Sequence, residues 1–156
     1  MALSPGTALK ILDSYHIGCV PLYSLRAACG YFESGGIPEV EGWLDATGNG
    51  FTPDPKRHFV IHAKGDSMSP KIKDGDLCVF EWCEGEPVNG DITLTQCIDI
   101  DLDYGERYTI KSYYSEKTGS AYNNRIELRP LNPDFNTIVL QPDKDYKTVG
   151  VFKCVL

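Results

Sequence analysis

The feature that most constrains this chain is the rhythm of its apolar residues after Gly18. β-Branched and aromatic residues come in short runs, broken every few positions by Gly, Asn, Asp or Pro. Such runs are too short to build a long amphipathic helix, so a core made from them must be assembled from strands. Strands are predicted at Phe59 to Ala63, Leu77 to Trp82, Asp91 to Cys97, Arg107 to Tyr114, Arg125 to Pro130, Ile138 to Leu140 and Thr148 to Val155. Asp74-Gly75 and Asn89-Gly90 accept the positive φ that tight hairpins need, which predicts an order of strand, turn, strand. One stretch reads as helix: Thr7 to Tyr15, with Ala8, Leu9, Ile11, Leu12 and Tyr15 at helical spacings. Paired glycines at Gly35-Gly36, the Gly48-Asn49-Gly50 turn and Pro38, Pro53 and Pro55 make the stretch before the first predicted strand read as an extended, loop-rich arm. The expected organisation is a short N-terminal segment over 1–20, an arm over 21–55 and a β-rich domain over 56–156.

Composition narrows the function classes. A chain of 156 residues suits one domain with its own core. With 15 Lys and Arg against 22 Asp and Glu, the net charge of −7 argues against a broad basic face for nucleic acid, so no direct nucleic-acid binding is expected. Hydrophobic residues at 42% and charged residues at 24% exclude disorder, collagen-like repeats and coiled coil as explanations of the whole chain. The six cysteines are too sparse and irregular for a disulfide scaffold and read as reduced thiols. No basic segment precedes an apolar run at the N-terminus, and no 18 consecutive residues are apolar. The expectation is a cytoplasmic protein without membrane contact.

The densest motif is Lys64-Gly65-Asp66-Ser67-Met68-Ser69-Pro70, followed by Ile72-Lys73-Asp74-Gly75-Asp76-Leu77. A serine just past a glycine turn at the end of a strand can present its hydroxyl outside the sheet with backbone N–H groups beside it, as a nucleophile requires. A lone Gly-x-Ser is most often a plain polar turn. Rival sites are weak. Asp99, Asp101 and Asp103 have calcium-loop spacing, but glycine falls at the seventh position and Ile110 stands at the twelfth, where a glutamate is needed, so calcium is rejected. Cys78, Cys83, His58 and His62 lack diagnostic zinc spacing. No metal and no cofactor is expected.

Gly65-Asp66-Ser67-Met68 followed by Asp74-Gly75-Asp76 resembles the LexA and UmuD self-cleaving proteins, the Ser/Lys peptidases of the S24 type. The resemblance continues through Val88-Asn89-Gly90-Asp91-Ile92, Gly105-Glu106-Arg107-Tyr108-Thr109-Ile110-Lys111, Ile126-Glu127-Leu128-Arg129-Pro130-Leu131-Asn132 and Val149-Gly150-Val151, covering roughly residues 21–156. It implies a mainly β, compact fold like the LexA C-terminal domain, with an extended N-terminal cleavage arm. It also implies a nucleophile, Ser67, and a general base, Lys111, with the backbone N–H groups of Asp66 and Ser67 as oxyanion donors. The histidines His16, His58 and His62 sit in no recognisable triad setting. As a base, Lys111 must be neutral, and burial would favour that form. In a strand, Thr109, Lys111 and Tyr113 share one face while Ile110 takes the other.

The implied substrate is the chain's own arm at Cys29-Gly30, 37 residues before Ser67. Gly30 would let the chain bend, and intramolecular delivery would raise the effective concentration of the bond. The gap of 44 residues from Ser67 to Lys111 is long for the family, and Ile98 to Gly105 is assigned to a lengthened hairpin. The segment ahead of the arm is too short for a helix-turn-helix, so the layout is closer to UmuD than to LexA. The expected function is regulatory self-cleavage in the response to DNA damage, with a homodimer formed through the C-terminal strands and a RecA filament on single-stranded DNA as possible trigger. The competing expectation is a non-cleaving dimerisation or docking module of a transcriptional regulator, a polymerase accessory subunit or a larger nucleic-acid-processing protein.

Overall fold

The computed structural model describes residues 10–34, 39–97, 107–117, 124–140 and 146–156. In chain order the elements are β1 (Cys19–Leu22), α1 (Leu25–Ser34), β2 (Gly42–Asp45), β3 (His58–His62), β4 (Leu77–Trp82), β5 (Ile92–Cys97), β6 (Tyr108–Lys117), β7 (Asn124–Arg129), β8 (Ile138–Leu140) and β9 (Tyr146–Val155). The strands form a single sheet of order β2-β1-β3-β4-β9-β5-β6-β7-β8. All neighbouring strands are antiparallel except β1 and β3, which run parallel with Leu22 beside Val60. The expected mainly β architecture is thus found. Among the described residues no helix is long and apolar enough to cross a membrane.

Strand alternation sorts the core. In β3, Phe59 and Ile61 point into one cluster with Ala28, Cys29, Met68, Ile72, Cys78, Phe80 and Leu94. Val60, on the opposite face, joins Val20, Leu22, Leu44, Ala46 and Val79. Burial on both faces is why this strand reads as a continuous apolar run. A third cluster, of Cys97, Tyr113, Ile126, Leu128 and Leu140, closes the far end of the sheet.

The C-terminal strand is the architectural surprise. β9 enters between β4 and β5, pairing Phe80 with Phe152 on one side and Thr93 with Val151 on the other. Gly150 makes this insertion possible, because a Cβ there would lie 3.0 Å from the Phe59 ring and 3.1 Å from the Glu81 carbonyl oxygen. The expected hairpin at Asn89-Gly90 is corrected: Gly90 does hold a positive φ of 95°, but β4 and β5 are not neighbours. Gly75, with φ of 86°, does sit in a tight turn, closed by the Asp76 N–H donating to the Lys73 carbonyl at 3.0 Å, but that turn ends the long connection from β3 to β4 rather than joining the two strands directly. β5 and β6 do form an antiparallel pair, with Thr93 opposite Lys111. The tip assigned to a lengthened hairpin, and the acidic residues rejected as a calcium loop, lie outside the described residues.

Helix falls elsewhere than expected. Residues 7–9 are outside the described range, and 10–15 are not helical. Leu12 instead bridges to edge strand β2, donating its N–H to the Trp43 carbonyl at 2.8 Å and accepting the Trp43 N–H at 2.9 Å. Unsatisfied backbone groups on an edge strand outcompete one marginal helical turn. The helix that does form, α1, occupies part of the segment read as an extended arm. Ser24 caps it, its Oγ accepting the Ala27 N–H at 3.1 Å, and good helix formers follow in Leu25, Arg26, Ala27 and Ala28.

Burial dominates thiol chemistry here. It pushes Cys78 from an ordinary 9.0 to about 12 and Cys97 to about 11, with Asp76 adding to the Cys78 shift. A thiol whose folded pKa is raised contributes stability that is full below pH 9.0 and is lost as pH climbs toward about 11 to 12, where the folded form also ionises. At pH 8, iodoacetamide is therefore expected to leave Cys78 and Cys97 unmodified in the folded protein and to alkylate both in urea. Peptide mapping checks this, and equal labelling rates in both conditions would contradict the burial.

Candidate active site

The connection from β3 to β4 starts as an extension of the strand pair, with Ala63 N–H donating to the Asp76 carbonyl at 2.8 Å and Gly75 N–H to that of Ala63 at 2.8 Å. The chain then departs at Gly65, whose φ of 85° an L side chain would resist. Asp74 Oδ1 accepts the Gly65 N–H at 2.7 Å, so the Asp74-Gly75-Asp76 motif serves the turn that carries the serine. A turn closes over 66–69 through Ser69 N–H to the Asp66 carbonyl at 3.1 Å. Met68 and Ile72 anchor it in the core beneath α1. Ser67 is thereby held at the rim of the core, and it is only 6% exposed.

Lys111 comes from the middle of β6 and has no exposed surface. Its Nζ donates to Ser67 Oγ at 2.8 Å and to Thr109 Oγ1 at 2.5 Å. The expected dyad residues therefore meet. The expected face assignment also holds: Thr109 and Lys111 turn the same way, while Tyr108 and Ile110 join the opposite cluster. Their neighbours on β5 are polar, with Thr93 opposite Lys111, Thr95 opposite Thr109 and the two threonine hydroxyls 2.9 Å apart. The motifs alone do not lead one to expect this row of threonines. The signal was present in the Thr93-Leu94-Thr95 alternation, whose polar residues would be wasted in a buried strand unless they faced a polar partner.

Removal from water disfavours an ammonium more than an amine. A neutral amine keeps two N–H donors and a lone pair. It can donate to Thr109 while accepting the Ser67 hydroxyl proton across the same 2.8 Å. The arrangement can activate a hydroxyl with no histidine involved. His58 is otherwise engaged: its Nδ1 accepts the Asp54 N–H at 3.0 Å, and burial lowers its pKa.

Asp66 and Ser67 occupy the turn as expected, and their N–H groups meet no hydrogen-bond acceptor among the described residues. A third contributor was not expected. The connection from β7 to β8 reaches over the turn, where Leu131 N–H at 3.1 Å and Asn132 N–H at 3.0 Å both donate to the Ser67 carbonyl. Asn132 Nδ2 donates to the Asp66 carbonyl at 3.0 Å. Cys29 and Gly30 lie in α1, with Cys29 buried in the cluster that holds Met68. Their peptide bond is helical in this structure, not extended along Ser67.

Comparison with known proteins identifies the family. The sequence profile of the family described as Peptidase S24-like matches residues 21–153. A LexA repressor from Polaromonas sp. (strain JS666 / ATCC BAA-500) is 31% identical over 94 residues, which are 60% of this chain and 34% of the repressor. The chain thus matches about a third of that relative's length. Because the profile runs through both the turn bearing Ser67 and the strand bearing Lys111, the chain belongs to the Peptidase S24-like family, in its LexA/UmuD group.

Proposed function

We propose that this chain is a self-cleaving serine endopeptidase of the LexA/UmuD type that cuts its own Cys29-Gly30 bond as a regulatory switch. The observation that carries the proposal is the 2.8 Å contact between two buried side chains, Lys111 Nζ and Ser67 Oγ. In the first step Ser67 Oγ bonds to the Cys29 carbonyl carbon while its proton passes to Lys111 Nζ. Backbone N–H groups at Asp66 and Ser67 take the oxyanion. Lys111 then gives its proton to the Gly30 nitrogen, the peptide C–N bond breaks, and an ester joins Ser67 to Cys29. Water attacks the ester carbon, giving its proton to the same amine, and the Ser67 oxygen leaves with that proton restored.

α1 bears on how the bond reaches the serine. Gly30 sits mid-helix with no heavy atom within 4 Å of a Cβ built on it, so packing in this conformation does not call for a glycine. Glycine costs about 1 kcal/mol relative to alanine in a helix interior. Its presence is consistent with a segment that leaves the helix and bends through the active site. Sequestration of Cys29 in the core also favours the second reading, a docking module that does not cleave.

Intact-mass spectrometry of wild type and Ser67→Ala, incubated at neutral and alkaline pH, separates the two. The expected result is a species beginning at Gly30, absent from Ser67→Ala. Its rate should rise with pH as Lys111 loses its proton and should not depend on protein concentration. A wild type left whole under every condition, including with RecA filaments on single-stranded DNA, would leave the docking module. A role in the DNA-damage response is part of the same proposal. So is a homodimer: among the described residues, β9 beyond Val151 is paired only on its β4 side, which offers the Phe152–Val155 edge to a second copy.

A further inference from the structure

The turn that carries the nucleophile is held from outside, and one side chain does much of the holding. The Asp66 carbonyl accepts two hydrogen bonds, from Ser69 N–H within the turn at 3.1 Å and from Asn132 Nδ2 across it at 3.0 Å. The Ser67 carbonyl accepts two more, from the N–H groups of Leu131 and Asn132. Asn132 is itself locked. Its Oδ1 accepts the Asp134 N–H at 3.0 Å, and its carbonyl accepts the Phe135 N–H at 3.2 Å. With the oxygen end of the side-chain amide committed to Asp134, the nitrogen end has only one orientation, toward Asp66.

The consequence follows from peptide geometry. In a trans peptide unit the C=O and the next N–H point in opposite directions within one plane. Pinning the Asp66 carbonyl to Asn132 therefore aims the Ser67 N–H away from Asn132. Pinning the Ser67 carbonyl to the same loop holds the following unit and, between the two, the Cα from which Oγ projects. Both planes flanking the nucleophile are thus set by a segment more than sixty residues away in sequence.

We infer that Asn132 is a positioning residue for acyl transfer at Ser67, orienting the Asp66–Ser67 peptide unit so that the Ser67 N–H meets the developing oxyanion. The role rests on the peptidase reading above and adds to it a residue that never touches the reacting atoms. Chemistry explains the residue type. At this length asparagine offers one acceptor for Asp134 and one donor for Asp66, whereas aspartate offers two acceptors and alanine neither.

The test uses the full chain as wild type, Asn132→Asp and Asn132→Ala. Three quantities are measured: the self-cleavage rate against pH, the rate of Ser67 labelling by a fluorophosphonate, and the thermal unfolding midpoint. Asn132→Asp keeps the acceptor for Asp134 N–H, and so the loop, while setting an oxygen against the Asp66 carbonyl. It should unfold within a few degrees of wild type yet cleave about 10- to 100-fold more slowly, the scale expected when a reacting group is slightly misplaced. In Asn132→Ala the rate should fall by a similar factor while the midpoint of the pH profile stays put, because the Lys111–Ser67 contact is untouched. Wild-type cleavage and labelling rates in Asn132→Asp, or losses that merely track thermal stability in both variants, would overturn the positioning role and leave the dyad standing. A folded wild type that neither cleaves nor labels would defeat the peptidase reading itself, and the positioning role with it.

Discussion

Lys111→Met is expected to abolish self-cleavage while leaving a folded and no less stable protein. The two side chains are similar in length, so the space in β6 stays filled, but the group able to take the Ser67 proton is gone. General-base catalysis contributes about 10²- to 10⁴-fold, and loss of one member of a cooperating pair removes most of what the pair supplies. Cleavage should fall by at least about 10³-fold. Stability should move the other way, because an amine with no exposed surface is replaced by an apolar group that needs no hydrogen bonds. Thr109 Oγ1 and Ser67 Oγ each lose their bond to Nζ, which offsets part of the gain. Intact mass after alkaline incubation and the thermal midpoint read the two effects separately. Cleavage at the wild-type rate would remove Lys111 from the chemistry.

The largest stability loss is expected from Phe59→Ala. The Phe59 ring is fully buried and lies 3.9 Å from the Trp82 ring centroid, 5.8 Å from that of Phe80 and 6.2 Å from that of Tyr23. It also fills the space that Gly150 leaves open in β9. Truncation would open a cavity among rigid aromatic rings that cannot collapse into it, costing about 3 to 5 kcal/mol. The midpoint of urea unfolding should drop accordingly, with little change in the slope. A loss below about 1 kcal/mol would mean that the cluster is not close-packed. The site shares this dependence, since Phe59 belongs to the cluster that seats Met68, the anchor of the serine turn, and Cys29 of α1.

What could be read in advance and what could not divide by range. Each of the seven expected strands has a counterpart within a few residues, because alternation and turn residues are local properties of the chain. β1 and β2 were missed: each is four residues long, and β1 contains Pro21, which donates no hydrogen bond. α1 was missed because the glycines and prolines that follow it outweighed a good cap at Ser24. The Thr7 to Tyr15 helix failed over residues 10–15 for the opposite reason, a local preference overridden by pairing with β2.

The site shows the same division. Ser67 and Lys111 were singled out by motif order, and the shared face of Thr109 and Lys111 by the two-residue period of a strand, so the sequence by itself determined which two residues to expect together and which way the lysine turns. It carried no term for what lies across a gap. Only the tertiary structure decided that β9 separates β4 from β5, that Thr93 and Thr95 line the lysine, that Cys29-Gly30 rests in a helix, and that Asn132 holds the turn bearing Ser67. Periodicity reports on neighbours along the chain, whereas these arrangements come from contacts between segments tens of residues apart, whose energies exist only once the sheet has assembled.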